Sequence, residues 1–207
     1  MENIVQLSPT GIITERPFTH PMHITGDLNS LRSMAYELYL TLQNFPDLTS
    51  LPQMIIFNKP DQLKWIHRQV LGKVSWIGQP DLIHVVGFFS QKRSRADMEP
   101  IKEFDQTLME EIPHHDELIS YSSMLLDDGN FANLVLFVNE AAQMEWSRSE
   151  VHAKAVNDLS PNYFHWIRIY KGILPHGIQR SSELSLHKAR YFDYDQNPVW
   201  RGLRTLA

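Results

Sequence analysis

The chain has 207 residues, of which 43% are hydrophobic and 21% are charged, the balance of a soluble globular protein with a sizeable core. It contains no cysteine, which excludes disulfides, thiolate nucleophiles and cysteine-ligated metal centres. The formal net charge of -5 argues against nucleic acid as the main partner. No secretory signal or membrane-length apolar stretch is found. We therefore expect a cytoplasmic protein with no nucleic-acid or membrane partner.

The first 80 residues are predicted to hold an arm, two helices and a short strand. Prolines interrupt the strand-like residues before position 27, so this part is expected to be an arm or a sheet edge. A helix follows, capped by Asp27 or Asn29 and ended by Pro46. A short strand is expected over Met54–Phe57 and a second helix over Asp61–Leu71. The apolar face of the first helix would hold Leu31, Met34, Ala35, Leu38 and Leu42.

From Leu82 to Pro175 the hydrophobic periodicity alternates between strand and helix. Four strands are expected, at residues 83–89, 119–126, 131–138 and 163–170, with helices from Pro100 through Ile112 and from about Glu140 to Asn157. The second and third strands are separated by Asp127-Asp128-Gly129-Asn130, and an Asp-Gly pair between apolar runs predicts a hairpin. This β-α-β-β-α-β order predicts an α+β, ferredoxin-like antiparallel sheet with its helices on one face.

The chain is accordingly divided into three parts. Residues 1–80 are predicted to be an N-terminal arm followed by a helical and strand segment, which would be a degenerate second repeat in one interpretation. Residues 81–175 form the ferredoxin-like domain, and 176–207 a C-terminal arm with few core residues. A sheet covered by helices on one side only would expose an apolar face. We therefore expect a homodimer in which two sheets form a dimeric α/β barrel, or a pseudo-dimer in which the first 80 residues cover that face.

One segment also resembles a known family. Phe137, Trp146, Ser149, His152 and Ala153 occupy places at which the antibiotic-biosynthesis-monooxygenase type of dimeric α/β barrel carries a strand-ending aromatic residue, a helical Trp, a Ser, a His and a small residue. The resemblance covers roughly Leu82 to Pro175. It implies an apolar cavity in each subunit, which would hold a phenol or quinol and oxidise it with oxygen without a cofactor. No cofactor is therefore expected.

Four residues are candidates for the site that the resemblance implies. Trp146 would be a wall of the cavity, and His152 would be the catalytic base. On the last strand, Arg168 would stabilise an anionic group of the ligand and Trp166 would stack on its apolar part. Three of them also have a structural interpretation: Trp146 as a core residue, His152 as a half-buried histidine that donates to a backbone carbonyl or lies at a subunit boundary, and Arg168 as a residue that stacks on Trp166 or pairs with a carboxylate in a dimer interface.

Metal and haem sites are not supported by the spacing of the ten histidines. His20 and His23, like His114 and His115, form pairs that match no zinc or two-His-carboxylate pattern. The haem-degrading branch of the family uses an Asn on the first strand, which is missing here, and a late helical His, whose place falls near Val156. Nucleotide-binding and serine-hydrolase motifs are absent as well.

The sequence leaves more than one class of function open. The leading prediction is a small-molecule-binding protein of the dimeric α/β-barrel type that acts as a cofactor-free monooxygenase on an apolar phenol or quinol. The alternative is a non-catalytic binding or oligomer-forming protein on the same scaffold. A haem-binding member that uses one of the other histidines is a third interpretation.

Overall fold

The computed structural model describes residues 4–44, 53–58, 66–72, 81–94 and 99–206, which contain nine strands and five α-helices. The strands are β1 (Ile4–Leu7), β2 (Gln53–Asn58), β3 (Ile66–Leu71), β4 (Ile83–Lys92), β5 (Leu118–Leu125), β6 (Phe131–Phe137), β7 (Phe164–Leu174), β8 (Ser185–Asp193) and β9 (Trp200–Thr205). The helices are α1 (Met22–Asn44), α2 (Glu99–Glu111), α3 (Glu140–Trp146), α4 (Glu150–Lys154) and α5 (Ser160–Tyr163). None of the described helices is long and apolar enough to cross a bilayer.

The ferredoxin-like unit is present in the middle of the sheet. Its four strands lie in the order β7-β4-β6-β5, and every neighbouring pair is antiparallel. The predicted hairpin joins β5 to β6: the backbone N–H of Leu126 donates to the carbonyl of Asn130 at 2.8 Å, and Gly129 has a φ of 79°. A positive φ is the conformation that glycine adopts at least cost, which explains the Asp-Gly signal. The predicted pairing and topology are confirmed.

The sheet continues beyond this unit on both sides. On one side β8, β9 and β1 follow β7, with β1 parallel to β9, and on the other side β3 and β2 follow β5. The expected helix over Asp61–Leu71 is wrong where the structure describes it, because Ile66–Leu71 is strand β3 and pairs with β5. Residues 61–65 lie outside the described residues. Val70 and Leu71 point to opposite faces, and a segment this short satisfies a helical and a strand pattern equally well.

The C-terminal segment is part of the sheet. Leu186, Ala189 and Tyr191 of β8 are buried in the core, and β8 pairs with β7 over most of its length. The sequence of this segment shows few core signals because the buried residues are separated by exposed charged ones such as Arg190. The division at residue 176 remains a prediction.

The two faces of the sheet are covered by different helices. Helix α1 packs on one, here named the α1 face, and places Leu31, Met34 and Leu38 against Val85 of β4 and its neighbours. Leu108 of α2 and Trp146 of α3 lie in a second core on the opposite face, here named the α2/α3 face. Helix α1 therefore packs on the apolar face whose exposure was the reason to expect a dimer, while a pseudo-dimer formed by the first 80 residues remains a prediction. Dimerisation itself remains a prediction.

Helix α1 begins earlier than expected. It starts at Met22, so Asp27 is a buried residue within the helix and not its cap. The helix expected from Glu140 to Asn157 is also divided. It is interrupted after Trp146, and α4 begins behind Ser149, whose hydroxyl accepts a hydrogen bond from the backbone N–H of His152 at 3.2 Å. A serine in this role favours a new helix start over the continuation of the old helix.

Candidate functional site

The four candidate residues lie in two pairs on opposite faces of the sheet. Trp146 and His152 belong to the helices of the α2/α3 face, while Trp166 packs against the core of the α1 face. Arg168 lies on the same face of β7 as Trp166, beside α1. The structure therefore brings Arg168 and Trp166 into contact, and it places Trp146 and His152 on the other face of the sheet.

Arg168 is held by a carboxylate from α1. Its Nε donates to Asp27 Oδ2 at 2.7 Å and its Nη2 to Asp27 Oδ1 at 3.0 Å, while the Tyr170 hydroxyl also donates to Oδ2 at 2.7 Å. Burial and the Asp27 carboxylate raise the pKa of Tyr170, so this hydroxyl stays protonated. The guanidinium of Arg168 lies 4.6 Å from the centroid of the Trp166 ring. Arg168 thus stacks on Trp166, as in its structural interpretation, but its carboxylate partner comes from its own chain and not from a dimer interface.

Both the ring face and the indole N–H of Trp166 contact other side chains of the protein. Its ring stacks on Phe18 with a centroid distance of 5.3 Å and an interplanar angle of 5°. Its indole N–H donates to Gln91 Oε1 at 2.6 Å. The side chain thus joins β7 to the turn that precedes α1, and stacking on a ligand would require Phe18 to move.

Trp146 is a core residue with 6% exposure. The His115 ring meets it edge to face at a centroid distance of 4.7 Å, and Phe137 lies 6.5 Å away. Aromatic pairs in such geometries stabilise a core beyond the area they bury. His115 lies between this core and the surface grooves, since its ring contacts Trp146 and lines both grooves.

A single carboxylate, Glu111 at the end of α2, connects the polar groups around Trp146. Its Oε1 lies 3.7 Å from His115 Nε2, and its Oε2 accepts from the Ser149 hydroxyl at 3.3 Å. Burial lowers the pKa of His152, and the charge of Glu111 opposes this shift. An imidazole with a lowered pKa is neutral at pH 7 and is able to accept a proton.

Two adjoining grooves lie beside this cluster and share His115 and Glu145. The first, of about 500 Å³, also contacts Ala141, Met144, Arg148 and Ser149. The second, of about 460 Å³, also contacts His114, Asp116, Glu117, Leu118, Phe137 and Ala142. Ser149 reaches the first groove, whereas Trp146 and His152 line neither of these two.

His115 is the functional candidate that the sequence analysis missed. It was considered only as half of a His114–His115 metal pair, and no group of metal-ligating side chains is found among the described residues. Its position beside the grooves depends on the packing of the end of α2 against α3. Those elements are distant in sequence, so no local pattern indicates the contact.

The residues present do not fit the haem site of the haem-degrading branch. Strand β4, the first strand of the unit, carries no Asn, and Val156 in the π-helical turn Ala155–Leu159 is 37% exposed. A valine supplies no metal ligand, so the position of the late helical His offers no axial group.

Comparisons with known proteins give a similarity at the level of the fold. No family model matches the chain, and no curated protein matches it significantly. A protein from Shewanella oneidensis is 16% identical over 46% of this chain and 95% of that one, with a TM-score of 0.37. An uncharacterised ferredoxin-fold protein from Listeria monocytogenes, related to antibiotic biosynthesis monooxygenases, is 14% identical over 65% and 88%, with a TM-score of 0.34. A heme-degrading enzyme from the same organism is 16% identical over 64% and 92%, with a TM-score of 0.33.

The chain is thus similar to ferredoxin-fold proteins of the antibiotic-biosynthesis-monooxygenase-like kind, as the sequence resemblance indicated. At these TM-scores the fold assignment rests on the strand order β7-β4-β6-β5 and not on the comparisons.

Proposed function

We propose that this protein binds a small uncharged phenol or quinol in the grooves beside His115 and transfers a proton from its hydroxyl. The observation that supports the proposal is the position of Glu111, with His115 3.7 Å from one carboxylate oxygen and Ser149 3.3 Å from the other. His115 lines both grooves, so its imidazole stands where a general base must stand, within reach of a hydroxyl bound there.

In the proposed reaction the protein supplies the base and the substrate supplies the electrons. His115, which lines both grooves, removes the hydroxyl proton, and the resulting anion passes electrons to oxygen; His152 lines neither groove and is tested as the alternative base. One oxygen atom enters the substrate, and the other leaves as water together with two hydrogens from the substrate. Ala141 and Met144 in the lining of the first groove would contact the apolar part of the substrate.

The experiment is oxygen uptake with 1,4-naphthohydroquinone in chelator-treated buffer, corrected for autoxidation. We expect His115→Gln, Glu111→Gln and His152→Ala to lower the catalysed rate, by about 100-fold or more for the residue that acts as the base. The matched control is His176→Ala, since that side chain is 59% exposed and lines neither groove. A wild-type rate equal to autoxidation, or unchanged rates in all three variants, would contradict the proposal.

Binding without catalysis is the second candidate function. It is favoured by the engagement of three predicted site residues in the fold: Trp146 in the core, Trp166 on Phe18 and Arg168 on Asp27. Quinol binding with no oxygen uptake would support it. A Soret band in the purified protein would instead support the haem-binding interpretation.

Homodimerisation is also retained as a proposal. Because α1 packs on the α1 face, a dimer would use a different surface, such as the edge strand β1 with exposed Ile4 and Val5. Light scattering at micromolar concentration, with Val5→Lys as the edge variant, tests it. A monomeric wild type would contradict the proposal.

A further inference from the structure

Three buried polar side chains form a row on the α1 face, here named the polar row: Gln69 on β3, and Ser120 and Ser122 on β5. Each has 0% exposure. Gln69 lies opposite Ser122 in the antiparallel register, and Ser120 lies opposite Leu71. On the neighbouring strand β6 the two serines face Leu136 and Leu134, which belong to the core beneath α1. The polar row is therefore bordered by the core leucines Leu71, Leu134 and Leu136.

The polar atoms of the row make no hydrogen bond within the structure that is described. This holds for both Gln69 side-chain atoms and for the hydroxyl oxygens of Ser120 and Ser122. Native proteins leave few buried polar groups in this state, because a donor or acceptor removed from water without a new partner destabilises the fold. Four such atoms on adjacent strands point to a missing hydrogen-bonding partner common to them.

The chemistry of the row restricts what that partner is. An amide and two hydroxyls offer both donors and acceptors but no formal charge. His67 lies on the same face two residues before Gln69, and burial lowers its pKa to about 4, so its imidazole is neutral at pH 7. A charged occupant would lose its hydration here with no opposite charge from the row to compensate.

We propose that the polar row is an internal binding site for an uncharged molecule that carries hydroxyl or amide groups. A small organic compound and ordered water have this chemistry in common. The site is separate from the grooves at His115, because the sheet lies between them. The proposed site at the polar row does not depend on the proposed oxygenase activity.

The sign of a stability change tests whether the row is occupied. With an occupant, the double variant Ser120→Ala/Ser122→Ala loses hydrogen bonds, and we expect Tm to fall by about 4 °C or more. With the row empty, the same change removes unsatisfied hydroxyls, and Tm would stay the same or rise. The matched control is Ser185→Ala, an exposed serine at the start of β8, which should leave Tm unchanged.

A second measurement distinguishes the two sources of the occupant. The wild type is unfolded in guanidinium chloride, desalted and refolded in plain buffer. A lower Tm after refolding, with no such loss in the double variant, would indicate an organic molecule, and an unchanged Tm would indicate water. If the double variant does not fold, a high-resolution crystal structure of the wild type decides. Density within 3.5 Å of the Ser122 hydroxyl supports the proposal, and an empty site there overturns it.

Discussion

Asp27 of α1 and Arg168 of β7, 141 positions apart in the chain, form a bidentate ion pair beneath α1, with oxygen–nitrogen distances of 2.7 and 3.0 Å. Both residues are buried, with exposures of 7% and 6%. The pair fixes α1 over the ferredoxin-like unit and engages the cation that the sequence suggested for ligand binding. This ion pair therefore gives Arg168 a structural role, because its guanidinium is bound by Asp27.

Replacing one partner of this ion pair should lower the free energy of unfolding by more, per substitution, than replacing both. We expect Asp27→Ala or Arg168→Ala to lower the free energy of unfolding by about 3–5 kcal/mol, because each leaves a buried charge unpaired. The apolar double variant Asp27→Leu/Arg168→Met should lose clearly less than the sum of the single changes. Urea unfolding of all four proteins measures the cycle. Single changes that cost less than about 1 kcal/mol would contradict the role given to the pair.

Arg204 of β9 should be a comparable anchor for the N-terminal arm. It is fully buried, and its guanidinium donates to the Tyr191 hydroxyl at 3.2 Å and to the backbone carbonyls of Ser8, Pro9, Gly11 and Thr19. We expect Arg204→Met to lower the free energy of unfolding by about 3 kcal/mol and to speed protease cleavage before residue 17. Arg180→Met is the control, since its salt bridge to Glu183 is exposed and should change stability by less than about 0.5 kcal/mol.

The burial of His67 predicts a loss of stability in acid. Its pKa falls from 6.5 to about 4 on folding, so between these values the unfolded chain binds more protons than the folded one. Stability is therefore complete above about pH 6.5 and decreases as the pH falls, by about 3 kcal/mol at pH 4 from this group. Denaturant unfolding at several pH values should show a smaller slope for His67→Gln and an unchanged one for His176→Gln. Equal slopes in His67→Gln and the wild type would refute this assignment.

Two glycines should respond in opposite directions to substitution by alanine. Gly129 has a φ of 79° in the β5–β6 hairpin, so Gly129→Ala should destabilise by about 1 kcal/mol and Gly129→Asn by less. Gly26 lies inside α1, and a Cβ atom there would meet no atom within 4 Å. Gly26→Ala should therefore stabilise by about 0.5–1 kcal/mol. Thermal unfolding of the three variants checks the signs, and a stabilising Gly129→Ala would argue against the turn conformation.

Local patterns in the sequence were sufficient for the ferredoxin-like unit. The Asp-Gly hairpin and the alternation of strand and helix periodicity between Leu82 and Pro175 depend only on neighbouring residues. Elements that are joined by short connections tend to be neighbours in space, so these patterns predict the antiparallel order of β7, β4, β6 and β5. Strand β3 was missed because its six residues carry too few apolar positions to distinguish the two periods.

The partners of the functional candidates were decided only by tertiary structure. The sequence alone placed one cation among aromatic residues on β7 and an acid in a predicted helix cap. Only the packing of α1 on the sheet joined them, since a contact across 141 positions has no local signature. In the same way, the sequence predicted one helix for Trp146 and His152, whereas the folded chain divides it into α3 and α4 and places His115 beside Trp146 and Glu111 beside His152. The position of a charge relative to groups from distant elements sets its pKa and its availability, and no pattern of neighbouring residues contains that distance.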